Sequence, residues 1–444
     1  MPETRRVAWA LAPVAIGLLS AGLAAISLTQ SFGLSEVEET LHARRDWSQL
    51  VPFTHADASG SGYAALLKAW SGVGSDEWVL RAPSVLAVAL ASVVVYLLGT
   101  RLFDRLTGAI AGVAFATSSL TIELGGRVGS LALGMLAAVL ATWLFVVAAE
   151  SGRRVVWAGY VVVGAAGAYV HASVAFVLVA HAVAAFWLPR RGARSAAVCI
   201  AVAAVAALPA VVQALDGRRH LADALAQPGF DDVARAVHAV SGRNVVVLAL
   251  AAGGVAALAI GRVTRGESWK LALLVTWAVV PLVGTLALSI ARPSLDARYL
   301  AVSAPALAVL AAVGLLQLPR REVVAGIALV VLAVSGVRVA QSVRSTPENW
   351  RAAAAYALAR KEPGDRVVVA PARAITAFSY YAGPNRGSLT ARGPAVFVVV
   401  RAANETDAVD IARHAVRAPA YALHDERRFG SHLRVQRWER TGVP

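Results

Sequence analysis

One cysteine, Cys199, stands among 444 residues, and it lies inside an apolar run. No intramolecular disulfide is possible, and cysteine usage is silent about redox compartment. Charge is sparse too: 16% of residues are Asp, Glu, Lys or Arg against 58% hydrophobic, and mean hydropathy is +0.62. A soluble chain could not hide that much apolar surface, which leaves a polytopic membrane protein. Acids are outnumbered, 27 against 42 Lys and Arg, giving a formal net charge of +15. In a soluble protein that excess would suggest nucleic acid. Here much of it lies in short arginine-rich loops between apolar runs, where it sets topology and meets anionic lipid, so no nucleic-acid partner is expected. A glycine-rich phosphate loop, a Ser-His-Asp ordering and a Cys/His metal spacing are all missing.

What is present is a series of apolar windows of about 17–23 residues, the length a membrane helix needs. Eleven are expected, near 8–30, 83–100, 106–122, 129–149, 155–171, 173–188, 195–214, 244–261, 270–291, 299–318 and 322–340. The first carries no small-residue cleavage site and reads as a retained span. Many are rich in Ala, Val and Gly, which permits close helix packing. Arg5 and Arg6, Arg101 and Arg105, Arg153 and Arg154, Arg190, Arg191 and Arg194, Arg262, Arg265 and Lys270, and Arg320 and Arg321 fall on one side. That side is cytoplasmic by the positive-inside rule, with the N-terminus on it. The 31–82 loop, Arg127, His171, the 215–243 segment, the turn ARPSLDARY and the C-terminal tail then face outward. The polar 215–243 segment reads as an amphipathic helix on the outer membrane surface or as a solvated connector.

Beyond residue 340 the composition changes. PENWRAAAAYALARKEPGD reads as a helix, RVVVAP and AVFVVV as strands, ETDAVDIARHAVR as a second helix, and YALHDERRF with HLRVQRWER as a hairpin. The chain is therefore expected to divide into a membrane domain, 1–340, and a small α/β domain on the outer face, 341–444.

The longest polar interruption of the apolar part is the 31–82 loop. It holds two acidic sites, Glu36–Glu39 and Asp57, with His42, His55 and several Trp, Tyr and Arg. A carboxylate within hydrogen-bond reach of an acceptor hydroxyl can take its proton as it attacks. The plainer reading of Glu36, Glu38 and Glu39 is an acidic first turn, with Ser35 as N-cap and Glu38 in the capping-box position; for Asp57 it is a turn in HADASGSG. Arg127 and Arg298 suit a phosphate, which a guanidinium matches in bidentate fashion, or they snorkel at helix ends. His171 ends a span in AGAYVHASVAF, where a histidine is often structural. Ligation of a divalent cation by Glu36, Asp57 and a histidine is weakly signalled.

The order of elements carries more than any one of them. Glu36-Val37-Glu38-Glu39-Thr40 is followed by Ala43-Arg44-Arg45, then by Asp57, Tyr63 and Trp70. Gly74, Arg81, Pro83 and Ser84 come next in GSDEWVLRAPS, then Arg127, His171, RPSLDARY ending at Tyr299, and NWRAAAAY with PGDRVVV. This order resembles the polytopic glycosyltransferases of the GT-C superfamily, in particular a divergent bacterial member of the family-39-like group of protein mannosyltransferases and aminoarabinose transferases. Glu36 stands where that family has its catalytic Asp, Gly125 replaces the Glu of Glu-Ala-Arg-x-Tyr, and the Asn-Pro-Pro after Asp57 is absent.

The resemblance implies an enzyme that moves a sugar, mannose-like in the first instance, from a polyprenyl-phosphate donor to a glycan, lipid or protein acceptor outside the cytoplasmic membrane. The displacement would be inverting, with a divalent cation optional. Glu36 would be the general base and Asp57 its assistant. Arg127 and Arg298 would neutralise the leaving phosphate, His171 and Tyr299 would line the donor site, and His55, Tyr63 and Arg81 would shape the substrate loop. Two other classes remain open: a catalytically silent glycolipid-binding relative, and a lipid or sugar transporter.

Overall fold

The computed structural model describes residues 3–48, 50, 61–217, 228–262, 268–291, 295–344, 348–383, 394–402, 404–416 and 420–441. His55 and Asp57 lie outside them. The chain forms two compact units. One comprises Met1–Leu28, Arg45–Ser75 and Val79–Val339; the other comprises Thr29–Arg44, Asp76–Trp78 and Ala340–Pro444. Hydropathy suggests a single cut at 340, because it registers where the apolar runs end but not which polar segment packs with which.

The first unit is helical. Seven helices are long and apolar enough to span a membrane: Trp9–Ser27, Glu77–Leu102, Ser130–Ser151, Gly192–Asp216, Ser268–Ile290, Ala297–Leu316 and Arg321–Gln341. Two pairs, Arg105–Ala116 with Ser119–Gly125 and Phe230–Val240 with Val245–Ile260, are bent by 59° and 85° at short breaks, and counting each as one span makes nine. The windows expected near 155–171 and 173–188 are the shorter apolar helices Arg154–Val170 and Val174–Ala185, of 17 and 12 residues. The described helices thus give seven to nine long spans with two shorter apolar helices beside them, one for each expected window, and the count of eleven membrane crossings is not confirmed. Apolar content persists through the 106–122 window while the backbone does not: the chain breaks at Thr117–Ser118, and at His171 a helix ends where a window was expected to end.

Packing is closest where Val245–Ala257 crosses Ala304–Leu316. A Cβ on Gly254 would overlap the carbonyl of Leu310, and one on Gly314 would overlap that of Leu250. Backbone meets backbone there, which only glycine permits.

A polar cluster around His181 lies in the core of this unit. The Thr142 hydroxyl donates to the Ala138 carbonyl at 2.8 Å and also lies 3.0 Å from Nε2 of His181. Its one proton being committed, it accepts from Nε2–H, and Nδ1 is left to accept from the Tyr160 hydroxyl at 3.1 Å. A single neutral tautomer satisfies all three groups, and the imidazole stacks on Phe145 at 4.7 Å.

The second unit is built on a four-stranded sheet of order β1-β2-β4-β3, with β1 Arg366–Ala370, β2 Ala395–Arg401, β3 Tyr421–Arg428 and β4 Leu433–Arg440. β1 and β2 are parallel, β2 and β4 antiparallel, and β3 and β4 form the expected hairpin. β2 is buried from Ala395 to Val400, as a central strand requires. Helix Glu405–Val416 packs Ala408, Ala412 and Val416 on it, at the i, i+4, i+8 spacing of one helical face. Helix Ile375–Ala382, which sequence periodicity does not announce, completes this unit together with Trp350–Ala359 and Leu34–Ala43.

Candidate active site

In the first unit a cavity of about 720 Å³ is lined by Asp232, Arg235, His238 and Arg243, by Asp296, and by Arg338. Local chemistry builds each wall. Helix Phe230–Val240 begins with Asp232 accepting the N–H of Gly229 at 2.8 Å, and the same carboxylate pairs with Arg235 at 2.6 Å. Asp232, Arg235 and His238 recur every three residues and so share a face. The helix stops at Val240 and is capped by Ser241; Gly242 follows in left-handed backbone at φ +72°, and Arg243 at φ +58°. The N–H of Arg243 reaches back to the His238 carbonyl at 2.9 Å. Asn244 then caps the next helix through the N–H of Val246, 3.1 Å away. Four residues, Ser241 to Asn244, thus make the 85° bend. A non-glycine residue with positive φ is uncommon and costs about 1 kcal/mol or more, so it persists only where its surroundings hold it.

A second stretch of the wall begins at Asp296, which caps the short helix Ala297–Ser303 by accepting the N–H of Arg298 at 2.8 Å. Its carboxylate also takes the Arg298 guanidinium, through Nε at 3.0 Å and Nη2 at 2.6 Å. Burial alone would push this carboxyl up; the Arg298 side chain and N–H, with a smaller pull from His171, hold it below the usual carboxylate range. His171 is 1% exposed. Its Nδ1 accepts the N–H of Ser173 at 3.2 Å, and its ring centre lies 5.6 Å from that of Tyr299. The structure therefore brings together His171, Tyr299 and the Asp296–Arg298 pair.

The other described candidates of this unit have different surroundings. Arg127 is exposed and pairs with Glu123, one turn earlier, at 3.1 Å. Arg81 is 2% exposed, and its Nη1 donates to the carbonyls of Ser27 and Leu28 at 2.9 and 3.1 Å. It caps the end of the first membrane helix, satisfying carbonyls that the helix itself leaves over. Tyr63 is buried on helix Ser61–Trp70, where the adjacent Gly62 packs on the backbone of Tyr169.

Glu36 belongs to the second unit. Helix Leu34–Ala43 starts from Gly33, and Oε2 of Glu36 accepts the Gly33 N–H at 2.9 Å. The cap is thus Gly33 with Glu36, not Ser35 with Glu38, because the helix begins one residue before Ser35. Glu36 is 5% exposed and shares a buried face with Val37, Thr40 and Ala43, whereas Ser35 and Glu38 point to solvent. No three His, Cys, Asp or Glu side chains gather as a metal site among the described residues.

Comparison with known proteins supplies the context. The sequence profile of the dolichyl-phosphate-mannose-protein mannosyltransferase family matches residues 62–215. Among the curated proteins none matches the chain. The crystal structure of ArnT from Cupriavidus metallidurans bound to undecaprenyl phosphate superposes over 97% of this chain and 98% of its own, at 12% identity and a TM-score of 0.61. Its apo form matches at 13% identity and 0.62, over 98% of both chains. The archaeal oligosaccharyltransferase AglB from Archaeoglobus fulgidus, in complex with an inhibitory peptide and a dolichol-phosphate, matches 89% of this chain and 70% of its own, at 12% identity and 0.54. The chain has a GT-C fold.

Within this GT-C fold the cavity cations Arg235, Arg243 and Arg338 are what sequence reasoning passed over. Two signals for them were present. Asp232, Arg235 and His238 stand at helical spacing in the segment read as a surface helix or connector. Arg338 is a lone arginine inside the apolar run VVLAVSGVRVA, where a charge is costly unless it serves something.

Proposed function

We propose that the chain is a membrane glycosyltransferase that takes a sugar from a polyprenyl-phosphate donor and passes it to a hydroxyl of an envelope glycan, lipid or protein. The observation that carries this reading is the cation-lined cavity, in a fold whose solved examples include one bound to undecaprenyl phosphate. Arg243 and Arg338 face the donor phosphate, helped by Arg298, with Arg127 as a further cation. His171 and Tyr299 flank the sugar. The acceptor oxygen forms its bond to the anomeric carbon as the bond to the phosphate oxygen breaks. The electron pair leaves on the polyprenyl phosphate, and the acceptor proton passes to Glu36, with Asp57 assisting. Guanidinium groups stabilise the charge that grows on the leaving phosphate. The sugar is mannose-like, and the reaction takes place on the outer face of the cytoplasmic membrane, where the C-terminal domain also lies. A divalent cation beside Glu36 and Asp57 remains compatible with the chemistry.

A second reading, a silent glycolipid-binding relative, draws on the capping role of Glu36: a carboxylate that holds a helix start has a structural reason to be there. Transfer of labelled sugar from polyprenyl-phosphate donors, in membranes carrying wild type, Glu36→Gln and Asp57→Asn, separates the two. Collapse of transfer in Glu36→Gln at unchanged protein level is expected. Full transfer in both variants removes these carboxylates from the chemistry, and saturable binding with no turnover in wild type favours the silent relative.

A further inference from the structure

Three consecutive residues ahead of the Glu36 helix are each held by a different partner, all within the second unit. The Ser31 hydroxyl donates to the Glu348 carbonyl at 2.9 Å. The Phe32 N–H donates to the Tyr381 hydroxyl oxygen at 2.7 Å. The Gly33 N–H donates to Oε2 of Glu36. Phe32 is fully buried, edge-on to Tyr380 at 5.8 Å. At the far end of the helix, Arg44 lies over the ring of the same Tyr380 at 5.0 Å. Both ends of the helix therefore rest on the Tyr380–Tyr381 pair of helix Ile375–Ala382.

Tyr381 is itself fixed. Its hydroxyl donates to Oε1 of Glu77 at 3.0 Å, and Arg351 pairs with that same oxygen while its guanidinium sits 5.9 Å from the Tyr381 ring centre. Burial pushes the Tyr381 phenol upward, with Glu77 adding to the effect against the opposing pull of the Phe32 N–H, so the hydroxyl stays protonated and keeps donating to Glu77. Its lone pair is then the acceptor that Phe32 uses.

We propose that Tyr381, held by Glu77 and Arg351, is a positioning residue for the Glu36 carboxylate. The peptide joining Phe32 to Gly33 carries the N–H that orients this carboxylate, and Tyr381 fixes the residue before it. On this view the C-terminal domain sets the geometry of the base on the first outer loop. The proposal rests on the transferase reading for its catalytic part only.

The test uses the full-length protein and Tyr381→Phe, which keeps the ring contacts and removes the hydroxyl. A displacement of about 1 Å at a reacting group can cost ~100-fold. The expected result is a fall in kcat of about 10- to 100-fold with the donor KM unchanged, and little further loss when Tyr381→Phe is added to Glu36→Gln. Amide exchange across 31–43 should accelerate at least about tenfold in Tyr381→Phe. Arg351→Lys, which keeps the charge but not the planar fork, should show the same two effects in weaker form. Wild-type kcat in Tyr381→Phe, or additive losses with Glu36→Gln, overturns the positioning role. If wild type transfers no sugar, the transferase reading falls, and unchanged exchange across 31–43 in Tyr381→Phe overturns the positioning proposal independently.

Discussion

The hydroxyl of Ser119 donates to the carbonyl of Gly242 across 2.7 Å, and so joins the breaks of the two bent helix pairs. Gly242 has positive φ, and a Cβ on it would press on the Ser118 hydroxyl. The turn that carries Arg243 into the cavity wall is therefore made by a glycine wedged against the other break.

Gly242→Ala should destabilise the protein by about 1–3 kcal/mol, through left-handed backbone and the contact with Ser118 together. Thermal unfolding in detergent measures it. An unchanged Tm would mean that residues 241–244 turn in some other way.

Arg243→Ala and Arg338→Ala should each raise the donor KM, by about 10- to 100-fold if each loses one charge-assisted contact of about 1.5–3 kcal/mol. Arg127→Ala should do less, since Arg127 is exposed and already paired with Glu123. A larger effect at Arg127 than at Arg243 would move the phosphate away from the cavity.

These two predictions bear on what could be read from the sequence. The polytopic helical architecture and the C-terminal strands were legible, because apolar run length and strand alternation are local. Arg298, Tyr299 and His171 were singled out one by one, and the structure places the His171 ring beside Tyr299 and near the Asp296–Arg298 pair. The break at Thr117–Ser118 was not legible, because it interrupts the backbone without interrupting hydropathy, whereas the helix end at His171 was placed where the structure has it. Tyr380 and Tyr381 were missed for a different reason. ITAFSYYA is short and offers no motif, and the partners of these tyrosines, Phe32 and Arg44, lie more than three hundred positions earlier in the chain. Glu36 was singled out as an acid, but the cap was expected at Ser35 with Glu38, two residues beyond the Gly33–Glu36 cap of the structure.

His181→Phe keeps the stack on Phe145 but leaves the Tyr160 hydroxyl without its ring partner, and should cost about 0.6–2 kcal/mol, the range for polar contacts between membrane helices. Tyr160→Phe in the same background should cost little more, because the two share one bond. Paired unfolding measurements check this; fully additive losses would contradict the hydrogen bond between Tyr160 and His181.

Asp296 gives a sign-determined pH effect. Its folded pKa lies below the unfolded one, so its contribution to stability is complete above the ordinary carboxylate value, about 3.9, and disappears as pH falls through the folded value. Wild type should therefore lose stability below about pH 4, and Asp296→Asn should lose less over the same interval while starting from a lower stability at neutral pH. Parallel acid-unfolding curves for the two proteins would refute the assignment.

The glycine crossing at Gly254 and Gly314 acts as a gauge for the cavity. One wall is continuous, through the bend, with the helix that carries Gly254; the other begins at Asp296, just ahead of the span that carries Gly314. With no side chain between the two backbones, their separation has a single value. A methyl group placed there would act as a shim some 16 Å along the helix from Arg243. It would part the stretch of wall that carries Arg243 from the stretch that begins at Asp296, and leave each residue in place on its own segment. The spacing of the cavity walls is thus written into two residues that do not line the cavity.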